Sequence, residues 1–161
     1  MLESRSLSQL GTDRKGDAKG PQAPEEAPFP NSVSEERKDF FQERDGERFA
    51  GTHLIVDLWD AEGLDDIPMI EQTLRDSVTA SGATLLHIHL HHFTPSGGVS
   101  GVAVLAESHI SIHTWPERDY AALDIFMCGA ADPYAAIPVL EQAFKPGRTG
   151  VEELRRGKLG E

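Results

Sequence analysis

The segment Glu107-Ser108-His109-Ile110-Ser111-Ile112-His113-Thr114-Trp115-Pro116-Glu117 concentrates side chains that do chemistry, and the chain's one cysteine, Cys128, follows shortly after. Serine, histidine and cysteine are the groups of nucleophilic and proton-transfer reactions. Within the segment the side chains alternate. Ser108, Ile110, Ile112 and Thr114 point one way, and His109, Ser111, His113 and Trp115 the other. Period two makes this a strand with two chemically different faces. A buried strand whose histidines are satisfied by hydrogen bonds would show the same pattern. Cys128 precedes Gly129 at the end of the next apolar run, and a free cysteine in such a place is usually a small buried apolar residue.

Other candidate groups carry less. His87, His89 and His91 share one face of a strand pattern. Residues i and i+4 along a strand lie roughly 13 Å apart, too far to share one ion. No carboxylate or cysteine sits beside them, so no metal site is expected. Thr94-Pro95-Ser96-Gly97-Gly98 is a glycine-bearing loop without the lysine and spacing of a phosphate-binding loop.

The elements that must position these groups can be read in order. The chain has 161 residues, enough for one domain with a core. Residues 1–50 are rich in Pro, Gly and mixed charge and poor in bulky apolar residues, so ordering them is not repaid by burial. Residues 1–31 are expected to be disordered. Ser34 to Phe41 could form a short capped helix, with Phe40, Phe41 and Phe49 docking this extension loosely onto the domain. The domain proper is expected over 51–161. Thr52–Trp59 reads as a strand. Asp65 or Asp66 caps a helix with Pro68 in its first turn and a stripe of Ile67, Ile70, Leu74 and Val78, ended by Gly82. Strands follow at 84–93, 99–106, 109–115 and 120–128. Asp132-Pro133 starts a second helix to Lys145, with a stripe of Tyr134, Ile137, Leu140 and Phe144 and a bend at Pro138. A short last strand runs through Leu154. The order gives an α+β fold, an antiparallel sheet with helices on one face.

Composition excludes several classes. With 15 basic and 27 acidic residues the net charge is −12, so binding nucleic acid through a phosphate-neutralising patch is not expected. An acidic surface favours cationic small molecules. One cysteine allows no intramolecular disulfide. No run reaches the apolar length of a membrane span, and Met1 to Leu10 lacks the apolar region of a secretory signal. No membrane contact and a cytoplasmic location are the expectation.

The string Glu107 to Glu117, with Asp124-Ile125-Phe126-Met127-Cys128-Gly129 after it, resembles the prokaryotic S-adenosylmethionine decarboxylase proenzymes, which are pyruvoyl-dependent. The similarity runs from about His53 to Lys145, with a weaker tail. A decarboxylase must hold the electron pair left when carbon dioxide departs, and a carbonyl cofactor does so through a Schiff base with the substrate amine. Pyridoxal phosphate would need a lysine and a phosphate cradle. After residue 50 only Lys145 and Lys158 remain, both toward surface ends.

The resemblance implies a covalent pyruvoyl group made from Ser108. Its hydroxyl attacks the Glu107 carbonyl, the ester loses its β-substituent, and hydrolysis leaves pyruvate at the new terminus. The pieces would be 1–107 and 108–161. A strained turn at 107–108 would help. The resemblance also assigns proton transfer in processing to His113, processing support to Ser100, proton donation to the substrate α-carbon to Cys128, and substrate binding to Phe93 and Glu117. A thiol titrating near neutral pH would suit that donor role. His113 faces away from Ser108 in a regular strand; a twist or bulge would be needed to reconcile the two. On their own, Ser100 reads as a strand serine and Phe93 as core. Two protomers packing sheet to sheet, an αββα homodimer of cleaved chains, are implied as well.

The implied reaction converts S-adenosylmethionine to its decarboxylated form for spermidine synthesis. Arginine or ornithine decarboxylation by the same cofactor is the alternative, since the processing residues would be the same. A non-catalytic subunit is a third reading, against which the intact Glu107-Ser108, His113 and Cys128 set argues.

Overall fold

The computed structural model describes residues 40–160. The expectations for residues 1–31, and most of the helix expected from Ser34, lie outside them. Its last two residues, Phe40 and Phe41, are not helical. They lead into a hairpin, β1 (Gln42–Arg44) and β2 (Glu47–Phe49), turned at Asp45-Gly46 with both residues at positive φ. Aspartate followed by glycine is the chemistry such a turn requires. Phe49 is fully buried, and the hairpin is hydrogen-bonded to the domain, so ordered structure begins well before residue 51.

Six further strands form one antiparallel sheet: β3 (Gly51–Trp59), β4 (Leu85–His92), β5 (Val99–Leu105), β6 (Ser108–Trp115), β7 (Tyr120–Cys128) and β8 (Arg148–Arg156). Their spatial order is β4-β5-β6-β7-β3-β8. Two helices, α1 (Ile67–Ala80) and α2 (Ala136–Phe144), join the sheet in the core. The α+β expectation holds. Alternation decides which face is covered. Leu54, Val56 and Leu58 of β3, Ile110 and Ile112 of β6, and Leu123, Ile125 and Met127 of β7 are buried with Ile70, Leu74, Leu140 and Phe144 of the helices. The intervening residues form an open face.

Local chemistry sets the helix ends. Asp66 Oδ1 accepts the Met69 N–H at 3.0 Å, with Pro68 in the first turn. Asp132 Oδ1 accepts the Tyr134 N–H, but the turn it opens, Pro133–Ala135, is a 3₁₀ turn, and α2 starts only at Ala136. Pro138 then lies in the first turn of α2, where its missing N–H has no helical acceptor to lose. Tyr134 leaves the expected stripe and donates its hydroxyl to Glu153 at 2.5 Å. In β4 a register shift between Leu85 and His87 leaves Leu86 exposed and turns His87, His89 and His91 to the open face. Gly101 sits where a Cβ would lie 2.2 Å from Leu90 Cδ2 and 2.6 Å from the His89 carbonyl oxygen, the close approach that a strand glycine signals.

Thr114 fastens the end of β6 that carries the histidine–indole pair. Its buried hydroxyl donates to the Leu64 carbonyl at 2.7 Å and accepts the Val99 N–H at 2.8 Å. Thr114→Val keeps the shape and orphans both groups. Urea unfolding of this variant is expected to show a loss of about 1–3 kcal/mol.

Candidate active site

Ser108 opens β6 immediately after the two-residue turn Ala106-Glu107, across which Leu105 and Ser108 pair. Glu107 is at φ +60°. A side-chain-bearing residue held there costs on the order of 1–2 kcal/mol. The strain expected at the Glu107–Ser108 junction is therefore present, on the residue whose carbonyl the attack would use. Ser108 is buried at 9% exposure, and its Oγ accepts the Cys128 N–H at 3.1 Å. Cys128 is half-buried. Burial pushes its thiol up, the nearby Glu107 carboxylate pushes the same way, and the Ser108 hydroxyl partly offsets them. The expectation of a thiol titrating near neutrality is not met, because both larger causes disfavour the thiolate. The thiol keeps its proton at pH 7.

A second group of predicted residues gathers at the other end of the sheet. Ser100 and His113 are register partners on β5 and β6, and Ser100 Oγ lies 2.8 Å from His113 Nδ1. They line a cavity of about 260 Å³ together with Phe93, Trp115, Glu117 and Gly98. Phe93 and Trp115 are well exposed, so neither is core. Trp115 belongs to this pocket although the site prediction omitted it. The signal was its alternation with His113, since residues two apart share a face.

The two groups do not meet within one chain. Ser108 and His113 face opposite sides of β6 and lie about 16 Å apart by strand rise. The bulge that would reconcile them is absent, because β6 pairs with β5 and β7 without a register shift. Cys128 shares the open face with His113, yet Ala122 is the β7 partner of His113, six residues away, or about 20 Å.

Between the two ends the open face is polar and connected. His53 Nε2–H donates to Asp124 Oδ1 at 3.1 Å, Ser111 Oγ donates to Asp124 Oδ2 at 3.2 Å, and Arg156 donates to His53 Nδ1 at 3.1 Å. Only the neutral tautomer with its proton on Nε2 serves both histidine contacts. Burial, then the neighbouring His53, holds His109 below the usual histidine range, against a smaller opposing pull from Asp124. Among the described residues no three His, Cys, Asp or Glu side chains are grouped to hold a metal ion, and no helix is long and apolar enough to cross a membrane.

Residues 52–157 match the model of the S-adenosylmethionine decarboxylase family. The chain is 47% identical over 110 residues to the S-adenosylmethionine decarboxylase proenzyme of Thermomicrobium roseum, covering 68% of this chain and 95% of that protein. It is 51% identical over 110 residues to the corresponding proenzyme of Methanococcus maripaludis, covering 66% and 89%. The crystal structure of the adenosylmethionine decarboxylase from Aquifex aeolicus superposes with a TM-score of 0.61 at 32% identity, over 70% of this chain and 95% of that one. Fold, site and matches together define the class as a carboxy-lyase enzyme. More narrowly, the chain belongs to the S-adenosylmethionine decarboxylase family.

The raised thiol gives a direct test. Alkylation of Cys128 by iodoacetamide is expected to reach half its limiting rate at a higher pH in the folded chain than in urea. A folded midpoint at or below the unfolded one would contradict the burial argument.

Proposed function

We propose that this chain cleaves itself between Glu107 and Ser108 and then decarboxylates S-adenosylmethionine. The observation that carries the proposal is the turn itself: Glu107 in the left-handed region, followed by a buried Ser108 whose Oγ is fixed by the Cys128 N–H. That N–H donates to the serine oxygen and leaves a lone pair for attack. The Ser108 hydroxyl would form an ester with the Glu107 carbonyl as the peptide C–N bond breaks. Loss of the Ser108 α-proton and departure of the Glu107 carboxylate, then hydrolysis with release of ammonia, would leave the pyruvoyl group on residue 108. The residues present fit that group, since its precursor already sits beside a protonated thiol. Its ketone supplies the sink for the electron pair released with carbon dioxide. Cys128 then has one task, to hold a proton at Sγ for the substrate α-carbon.

The substrate reading rests on the pocket at the far end. Two exposed aromatic faces, Phe93 and Trp115, and the Glu117 carboxylate suit a cation that carries a heteroaromatic ring. Nothing in the comparisons favours arginine or ornithine. His113, held by Ser100, is the proton carrier of this half.

Because Cys128 and His113 lie at opposite ends of one open face, with Ser108 on the covered side of the Cys128 end, we propose a homodimer. Two open faces packed about a two-fold axis would bring the Ser108–Cys128 end of one protomer to the His113 end of its partner. Each site would then be built from both chains, and the product, decarboxylated S-adenosylmethionine, would be available for spermidine synthesis.

Denaturing electrophoresis should show two fragments, and Ser108→Ala should stay intact. A whole chain that turns over substrate would reject the mechanism. Release of carboxyl carbon should be found with S-adenosylmethionine and not with arginine or ornithine. For the dimer, Cys128→Ala and Glu117→Gln are each expected to lose about 10²-fold or more in turnover. Refolding them together should restore roughly a quarter of native activity, because random pairing leaves one intact site in half of the dimers. No recovery on mixing would place each site within one chain.

A further inference from the structure

The hairpin β1–β2 precedes the family match, which begins at residue 52, yet it grips Gly129, the residue that follows the proposed proton donor at the end of β7. Both backbone polar groups of Gly129 are taken by the hairpin and by Phe40, which leads into it. The Gly129 N–H donates to the Phe40 carbonyl at 2.8 Å, and the Gly129 carbonyl accepts Gln42 Nε2 at 3.0 Å. Gln42 is itself fixed, since Thr52 Oγ1 donates to its Oε1 at 2.8 Å. Gly129 is at φ +61°, and a Cβ there would lie 3.3 Å from the Phe40 ring. Behind the grip the hairpin is fastened to β8 and to the residues that follow it. Arg155 donates to Asp45 at 2.5 Å and Glu47 at 2.8 Å, Lys158 pairs with Glu47 at 2.9 Å, and the Leu159 N–H donates to the Arg48 carbonyl at 2.9 Å.

The Gly129 N–H belongs to the peptide plane that follows Cys128, and the Cys128 N–H belongs to the plane that precedes it. The first is held by Phe40 and the second holds Ser108 Oγ. Holding the planes on both sides of Cys128 restricts its φ and ψ and with them the direction of its Cβ, and Gln42, bonded to the Gly129 carbonyl in the next plane, limits the Gly129 rotation that would loosen the first. We propose that the hairpin is a positioning element for the Ser108–Cys128 centre, acting through Gln42 and the Gly129 peptide. The proposal rests on the reading of Ser108 as the self-cleavage nucleophile. Gln42 touches neither reacting atom; it acts by holding Gly129. Without the grip Gly129, which has no side chain to confine it, regains backbone freedom.

The test uses the full chain with Gln42→Ala, the near-isosteric Gln42→Glu, and Glu43→Ala as a control on the same hairpin. Gln42→Glu keeps the acceptor for Thr52 and loses the donor to Gly129. Self-cleavage of both Gln42 variants is expected to slow roughly five- to tenfold, the worth of one hydrogen bond in a barrier. Alkylation of Cys128, followed in the Ser108→Ala background where no cutting is needed, should speed up several-fold. Glu43→Ala should match the parent in both. Parent-like cleavage and alkylation in Gln42→Glu would overturn the proposal, and so would equal changes in Glu43→Ala, which would mean general loosening. Should the parent chain never cut, the Ser108 reading fails, and the alkylation rates alone decide whether the hairpin positions Cys128. Should Gln42→Ala fail to fold, Gln42→Glu carries the same comparison.

Discussion

A strand cannot bring its first and sixth residues together, and the arrangement of this molecule follows from that. Ser108 and His113 are five apart on β6, a separation that sets them on opposite faces and about 16 Å distant. Regular pairing on both sides of β6 leaves no local distortion to relieve this. Every residue with a proposed chemical role therefore falls into one of two groups. One is the turn end with Glu107, Ser108 and Cys128; the other is the pocket end with Phe93, Ser100, His113, Trp115 and Glu117. The sheet acts as a spacer of fixed length between them, and its uncovered face is the surface on which they can be joined.

At the turn end, two modest effects act on the same bond. The positive φ of Glu107 raises the energy of the intact turn by about 1–2 kcal/mol. The Cys128 N–H orients the serine oxygen. Neither would cut a peptide alone, since enzyme-scale acceleration requires many times that energy. In the proposed self-cleavage, proton transfer would have to supply much of the remainder, and His113, the residue proposed for it, is at the pocket end. Self-cleavage that waits for the pocket end to arrive would tie cofactor formation to assembly, so an unassembled chain would not be cut early.

Much of this was legible in the sequence. Period-two alternation in β6 gave the correct faces because one side of the sheet is apolar and the other is not. Asp66, Pro68 and Gly82 marked α1 because caps and breakers act locally. The residues around Asp132 misled, because a 3₁₀ turn and an α-helix begin with the same capping chemistry. The hairpin at 42–49 was hidden by composition. Its charges, Arg44, Asp45 and Glu47, suggested a solvated tail, but they pair with Glu153, Arg155 and Lys158, more than a hundred residues away. The Cys128 proton affinity was not legible either, since it depends on burial and on Glu107, which the sheet brings near from the β5–β6 turn.

The polar open face bears on whether a partner can cover it. Burying unpaired polar groups would be costly. Here the central ones are already paired within the chain: Asp124 takes hydrogen bonds from His53 and Ser111, and the remaining ring nitrogen of His53 is met by Arg156. Covering such a network would leave these three bonds in place, while the Asp124 carboxylate and the Arg156 guanidinium would have to give up water. Burial and the neighbouring His53 hold His109 below the usual histidine range, which reduces the charge that would have to be desolvated there. Around the network, Val104, Phe126 and Leu154 supply apolar surface that gains from contact. A face of this kind is stable in water and can also be buried. That is the property the proposed homodimer would require of a surface joining two half-sites.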